Sequence, residues 1–167
     1  MSFYVCSDLH GQGKLWDKIK EFLEPTDNLI CLGDCIDRGL DGWRILKEIL
    51  LDERVYLLKG NHEDMMVNFF INKNQYNYSL WMYNGGETTL KDFNKEENKE
   101  EWIKKINDLP QYINIVINGK EFKMSHAGYT PNLNPEELIK YGDLLWDRNH
   151  FEEEWPKEKE YENIYIL

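Results

Sequence analysis

Positive charge is scarce in this chain of 167 residues: 20 Lys and Arg stand against 31 Asp and Glu, a formal net charge of −11. A broad basic face that displaces counterions from a polyanion is therefore excluded, and nucleic acid is not an expected partner. A phosphorylated ligand would have to meet a few placed arginines or metal cations instead. Long apolar runs are also missing. None approaches the roughly eighteen residues of a membrane span, so no membrane partner is expected. The opening residues Ser2-Phe-Tyr-Val-Cys6 read as a strand, without the basic and apolar segments of a secretory leader, which makes the cytoplasm the expected compartment. Cysteine is limited to Cys6, Cys31 and Cys35, an odd set without CxxC spacing. Two of them fall in apolar strand-like runs, which points to buried, reduced thiols rather than a disulfide framework. No internal repeat, low-complexity tract or linker interrupts residues 1–167, and the length suits one domain with a continuous core.

What is present reads as an α/β protein. Hydrophobic residues make up 41% of the chain and aromatics 14%, enough for a folded globule. Phe3–Cys6, Leu29–Leu32 and Val55–Leu58 are short, unbroken apolar runs, the pattern of strands covered on both faces. Leu15, Trp16, Ile19, Phe22 and Leu23 repeat at helical spacing before Pro25, as do Trp43, Leu46, Ile49 and Leu50 after a candidate cap at Asp41. Two right-handed crossovers would then place three strands parallel in one sheet. After Gly60 the pattern predicts a helical insertion: Met65–Ile71, Ser79–Phe93 around a Gly85-Gly86 break, and Glu96–Leu109 ended by Pro110. Its charge run Lys95–Glu101 reads as a solvated helix face. Tyr112–Ile117 and Lys120–Ser125 flank Asn118-Gly119, the strongest two-residue hairpin signal. Asn134–Tyr141 reads as a short helix with Pro135 at its first position, and Ile164–Leu167 as a last strand.

The chemistry-bearing residues collect at the strand ends. Asp8 and His10 follow the first strand, Asp34 and Asp37 the second, Asn61 and His62 the third. Loops beyond the carboxyl ends of neighbouring parallel strands form the crevice where ligands bind. So many acids in one place need a positive partner, and a divalent cation is the most direct one. On an extended segment Asp8 and His10, two apart, would point the same way and share one ion. Mixed Asp, His and Asn donors suit Mn, Fe or Zn better than Ca or Mg. His126, following the hairpin, belongs to the same set of histidines beside strand ends and glycines. Lys59 could add charge near a phosphate or be a solvated lysine; Tyr129 could line a cleft or lie in the core or on the surface.

Asp8-Leu-His10-Gly11, Gly33-Asp34-Cys-Ile-Asp37-Arg38-Gly39, Gly60-Asn61-His62-Glu63 and His126-Ala-Gly128 resemble, in order, the signature blocks of the phosphoprotein phosphatase family within the calcineurin-like metallophosphoesterases. Trp81-Met-Tyr-Asn-Gly-Gly86-Glu-Thr-Thr-Leu90 and Leu144-Leu-Trp-Asp-Arg148 also look like that family, nearest its small bacterial and phage branch. The resemblance implies a layered sandwich of mixed β-sheets flanked by helices, with the helical insertion after the third strand. It implies that Asp8 and His10 hold one metal, that Asp34 bridges to a second, and that Asn61 and His126 also bind the second. Arg38 and Arg148 would hold phosphate oxygens, and His62, oriented by Asp37, would act as general acid.

The activity so implied is phosphoester hydrolysis by direct in-line attack of a metal-bridging hydroxide, with a phosphorylated protein or a small phosphoester as substrate. Two divalent ions would be needed, Mn first, with Fe or Zn as alternatives. A hydrolase of symmetrical dinucleoside polyphosphates and a catalytically impaired phosphate- or metal-binding module stay open beside the protein phosphatase. The family pattern runs on, after a strand, into a Gly-His-Thr segment whose histidine is the last ligand of the second metal. Here the strand-like Tyr161–Leu167 ends the sequence, and the expectation is a domain cut short with a weakened second site. His150 is the one histidine left without a role, and a surface position is its ordinary reading.

Overall fold

Cys6, Cys31 and Leu57 stand side by side in register at the carboxyl edge of a three-stranded parallel sheet. The strands β1 (Phe3–Cys6), β2 (Asn28–Cys31) and β3 (Val55–Leu57) lie in the order β1-β2-β3. The computed structural model describes residues 2–128, 135–141 and 143–147. It divides into two units, Met1–Leu109 and Pro110–Leu167. Arg148, His150, Tyr129 and the expected strand Ile164–Leu167 lie outside the described residues.

In the first unit, α1 (Gly13–Phe22) links β1 to β2 and α2 (Gly42–Leu51) links β2 to β3, as the alternating pattern requires. Burial on both faces holds for the central strand: Leu29, Ile30 and Cys31 are buried. The edge strands differ, with Val5 36% and Tyr56 46% exposed. Asp41 does begin α2, but its side chain makes no cap; its Oδ1 accepts from Arg44 Nε at 3.1 Å instead. The ion pair outcompetes the cap because the guanidinium lies one turn away on the same helix.

Four helices follow β3: α3 (Asn61–Asn72), α4 (Gln75–Tyr83), α5 (Glu87–Phe93) and α6 (Lys99–Asn107). The break between α4 and α5 falls at Gly85-Gly86, and Gly85 has φ +95°. Met66, Trp81, Phe93 and Ile106 from these helices share one buried cluster with Leu29, Trp43 and Leu46. Phe93 meets Trp43 edge-on with ring centroids 4.7 Å apart. Each such fully buried large side chain is worth about 1.5–3 kcal/mol, so the insertion is part of the core around the sheet. α6 begins three residues after the expected Glu96. That glutamate is drawn to Trp43 Nε1 at 2.7 Å and Lys47 Nζ at 2.5 Å.

The second unit contains the hairpin as expected, β4 (Tyr112–Ile117) paired antiparallel with β5 (Lys120–Ser125). Asn118 and Gly119 have φ of +51° and +78°, the left-handed pair that a two-residue turn demands. The helices α7 (Pro135–Tyr141) and α8 (Asp143–Trp146) complete its described elements. The chain after β5 is tied to α8 and its end: Ala127 N–H donates to Leu144 C=O at 2.8 Å and Gly128 N–H to Asp147 C=O at 3.0 Å.

Candidate active site

The loops beyond β1, β2 and β3 continue the sheet's zipper past the last strand residue. Asp8 N–H donates to Gly33 C=O at 3.2 Å, His10 N–H to Asp34 C=O at 2.9 Å, and Gly11 N–H to Cys35 C=O at 2.9 Å. Backbone hydrogen bonding thus carries the first two loops side by side. The third is joined through side chains: Asp34 Oδ1 accepts His62 N–H at 3.0 Å, and Glu63 accepts the N–H groups of Asp34, Cys35 and Gly60 at 2.8–2.9 Å. Glu63 is fully buried. Burial and the neighbouring Asp34 carboxylate push its pKa up to about 8, against the pull of the two loop N–H groups.

Strain is concentrated at the same positions. Asp8, His10, Asp34, Asp37 and Arg38 all have φ between +39° and +69°. For residues other than glycine this region costs on the order of 1 kcal/mol or more each, and it persists only where the surroundings enforce it. The expected alternation of an extended segment therefore does not explain how Asp8 and His10 meet. Their left-handed backbones do so, bringing Asp8 Oδ1 to 3.5 Å from His10 Nε2. Gly11, at φ +65°, allows the closest approach of the two loops: a Cβ there would lie 2.6 Å from the Gly39 carbonyl carbon.

The donors converge as follows. His10 Nε2 lies 3.6 Å and His62 Nε2 3.8 Å from Asp34 Oδ2, and the two rings meet edge-on at 4.7 Å. His10, Asp34 and His62, all buried, offer ligand atoms within 4.8 Å of one another. His10 Nδ1 pairs with Ile36 C=O at 3.0 Å, which makes Nδ1 the donor and turns Nε2 toward the carboxylates. This is the donor set and outer-shell support that a mid-series divalent cation takes, and the residues fit one. Arg38 brings positive charge to the same imidazoles, with Nη1 2.7 Å from His10 Nε2 and Nη2 3.2 Å from His62 Nε2. Burial disfavours a charged His10, yet Asp8, the Ile36 carbonyl and Asp34 outweigh it and hold the pKa above the ordinary 6.5. Protons therefore compete with any cation for this nitrogen.

Beside the cluster, His62 Nδ1 donates to Asp37 Oδ2 at 2.7 Å, with both residues buried. The same oxygen accepts Trp81 Nε1–H at 2.8 Å. Asp37 N–H donates to Thr89 Oγ1 at 2.9 Å, and Arg38 N–H to Gly85 C=O at 3.0 Å. Sequence reasoning gave Trp81, Thr89 and Glu63 no role. The signal for Trp81 was there: a tryptophan buried with the core must still find an acceptor for its indole N–H.

Of the expected site residues, Asp8, His10, Asp34, Asp37, Arg38 and His62 are brought together. Asn61 opens α3, one residue before His62, and is buried. His126 directly follows β5 in the second unit, and Arg148 is outside the described residues. Lys59 is buried rather than solvated. It is 5% exposed and caps α6, its Nζ donating to Asn107 C=O at 2.7 Å, with burial lowering its pKa.

A family model described as calcineurin-like phosphoesterase matches residues 1–167. Serine/threonine-protein phosphatase 2 of Escherichia coli (strain K12) is 30% identical over 151 residues, covering 86% of this chain and 66% of that protein. The protein of the same description from Salmonella typhimurium is 28% identical over 160 residues, covering 87% of this chain and 67% of its own length. The chain thus spans only part of the relatives it matches. Two solved structures share the fold. One is assigned as a diadenosine tetraphosphatase (TM-score 0.55, 18% identity, 81% of this chain and 58% of that one). The other is a serine/threonine phosphatase from Saccharomyces cerevisiae with similarity to human phosphatase PP5 (TM-score 0.51, 20% identity, 87% of this chain and 51% of that one).

Proposed function

Because this chain belongs to the calcineurin-like phosphoesterase family, whose members use divalent metals, we propose that it acts as a serine/threonine-type protein phosphatase with two divalent cations, manganese foremost. The observation that carries this reading is the meeting of Asp8, His10, Asp34, the His62–Asp37 pair and Arg38 beyond three strand ends. In this reading residues 1–167 form one catalytic domain and work in the cytoplasm on phosphorylated protein. No described helix is long and apolar enough to cross a membrane.

Asp8, His10 and Asp34 would hold one cation, and Asp34 and Asn61 would serve the other. When bound, such cations supply an activated water for attack on phosphorus and neutralise phosphate oxygens. Arg38 grips the phosphate through its planar guanidinium fork. His62 would turn Nε2 toward the leaving oxygen for proton transfer, while Asp37 fixes the ring through Nδ1–H. Burial of both partners excludes water from the pair, which strengthens their attraction.

The test is hydrolysis of an aryl phosphate by the full chain with Mn²⁺ and after chelation. Asp34→Asn should lose both metal uptake and turnover. His62→Asn should keep the metal and lose rate, by about 10²-fold or more. Full activity in both variants would place the chemistry elsewhere, and loss of metal in His62→Asn would make that histidine a ligand. Faster turnover of a dinucleoside tetraphosphate than of a phosphopeptide would favour the nucleotide-directed reading. Metal uptake without turnover of any ester would indicate a binding module.

A further inference from the structure

Resting on that reading of His62, we infer that the α4–α5 helix pair is a clamp that positions the proton donor, with Trp81 and Thr89 as its positioning residues. The need for a clamp arises in the backbone. Asp37 and Arg38 occupy consecutive left-handed conformations, φ +69° and +63°, which neither side chain favours. Both of their N–H groups are held from outside the sheet, by Thr89 Oγ1 at 2.9 Å and by the Gly85 carbonyl at 3.0 Å. Gly85, at φ +95°, is what lets this carbonyl reach; a Cβ there would meet Arg38 Cγ at 3.0 Å.

Trp81 acts on the carboxylate. Its indole N–H and His62 Nδ1–H share Asp37 Oδ2, at 2.8 and 2.7 Å, while Asp37 Oδ1 has no hydrogen-bond partner among the described residues. Two donors on one oxygen thus define the plane of the carboxylate. Without the indole, His62 alone remains, and the carboxylate is free to turn Oδ1 toward it. Trp81 itself is fully buried, against Phe69 with ring centroids 5.7 Å apart and Phe70 at 6.1 Å. Gly86 makes room for it, since a Cβ there would lie 2.6 Å from the indole. The paired glycines therefore serve two contacts, one to Arg38 and one to Trp81.

A residue that only supports the fold would slow all substrates alike. One that aims a proton donor matters in proportion to how badly the leaving oxygen needs the proton. The experiment compares Trp81→Phe with the wild-type chain on a phosphoserine peptide, which leaves as an alkoxide, and on 2,4-dinitrophenyl phosphate, which leaves unaided. The clamp predicts kcat down about tenfold or more on the peptide and less than about twofold on the dinitrophenyl ester, with KM little changed. Thr89→Val should show the same split and Thr89→Ser should restore the rate, which keeps the test open if Trp81→Phe does not fold. Equal losses on both esters, or no loss on either, overturns the inference. A second readout does not need turnover: in the ¹⁵N spectrum of the metal-free chain, His62→Asn should shift the Trp81 indole N–H resonance. An unmoved resonance overturns the shared-oxygen geometry. If the wild-type chain hydrolyses neither ester, the phosphatase reading fails and the spectrum alone decides the clamp.

Discussion

The Glu63 carboxylate accepts the backbone N–H of Asp34 at 2.8 Å, binding the loop after β2 to the first turn of α3. It also takes the N–H groups of Cys35 and Gly60, at 2.9 Å each. One buried side chain thereby sets the spacing between two loops that carry candidate ligands. Glu63→Gln keeps the size but turns an amide N–H₂ toward a backbone N–H. The expected result is a loss of about 1–3 kcal/mol in unfolding free energy, read by urea denaturation, because a buried donor is left without an acceptor. Unchanged stability would mean that these loops are held by something else.

Gly11→Ala tests the strained edge itself. The substitution places a Cβ 2.6 Å from the Gly39 carbonyl carbon at a backbone φ of +65°. Since the neighbour is backbone and not a flexible side chain, relief requires the two loops to part. A destabilisation of about 2–4 kcal/mol is expected in thermal or chemical unfolding, together with weaker uptake of Mn²⁺.

The pH dependence of stability should show a contribution from Glu48. Burial raises its pKa, but hydrogen bonds from Lys20 at 2.6 Å, Trp16 at 2.8 Å and Arg44 at 3.1 Å outweigh this and leave it below the ordinary 4.5. A folded-state pKa lower than the unfolded one stabilises the protein above the unfolded value. The benefit is lost as the pH falls through the folded one. Melting curves of the wild type and Glu48→Gln should therefore differ by a constant amount above pH 4.5 and converge below it. High salt should narrow the gap, since this network is partly exposed.

Much of this architecture was legible in the chain. Three short apolar runs, each followed by glycine and acid, mark the strand tips, although only the central one is buried on both faces. The hairpin is legible to the residue because only a few dipeptides tolerate two left-handed positions, and Asn118-Gly119 is one of them. What was not legible is how the tips are held. Local pattern carries no sign of which acceptor a distant N–H will use. Glu63, Thr89 and Trp81 act across 28, 52 and 44 residues respectively. The same limit explains Asp41, whose local preference for a cap yields to Arg44, and Lys59, whose partner lies 48 residues on. The way Asp8 and His10 meet also escaped the sequence. Spacing of two suggested an extended segment, and the side chains come together through left-handed turns instead.

Calorimetric titration of the metal-free full chain with Mn²⁺, beside Asp34→Asn, is the most direct test that separate strand ends build one cation site. Saturable binding by the wild type, weakened more than about a hundredfold in Asp34→Asn, is the predicted result. Equal binding by the two proteins, or none by the wild type at any pH where it is folded, would contradict it.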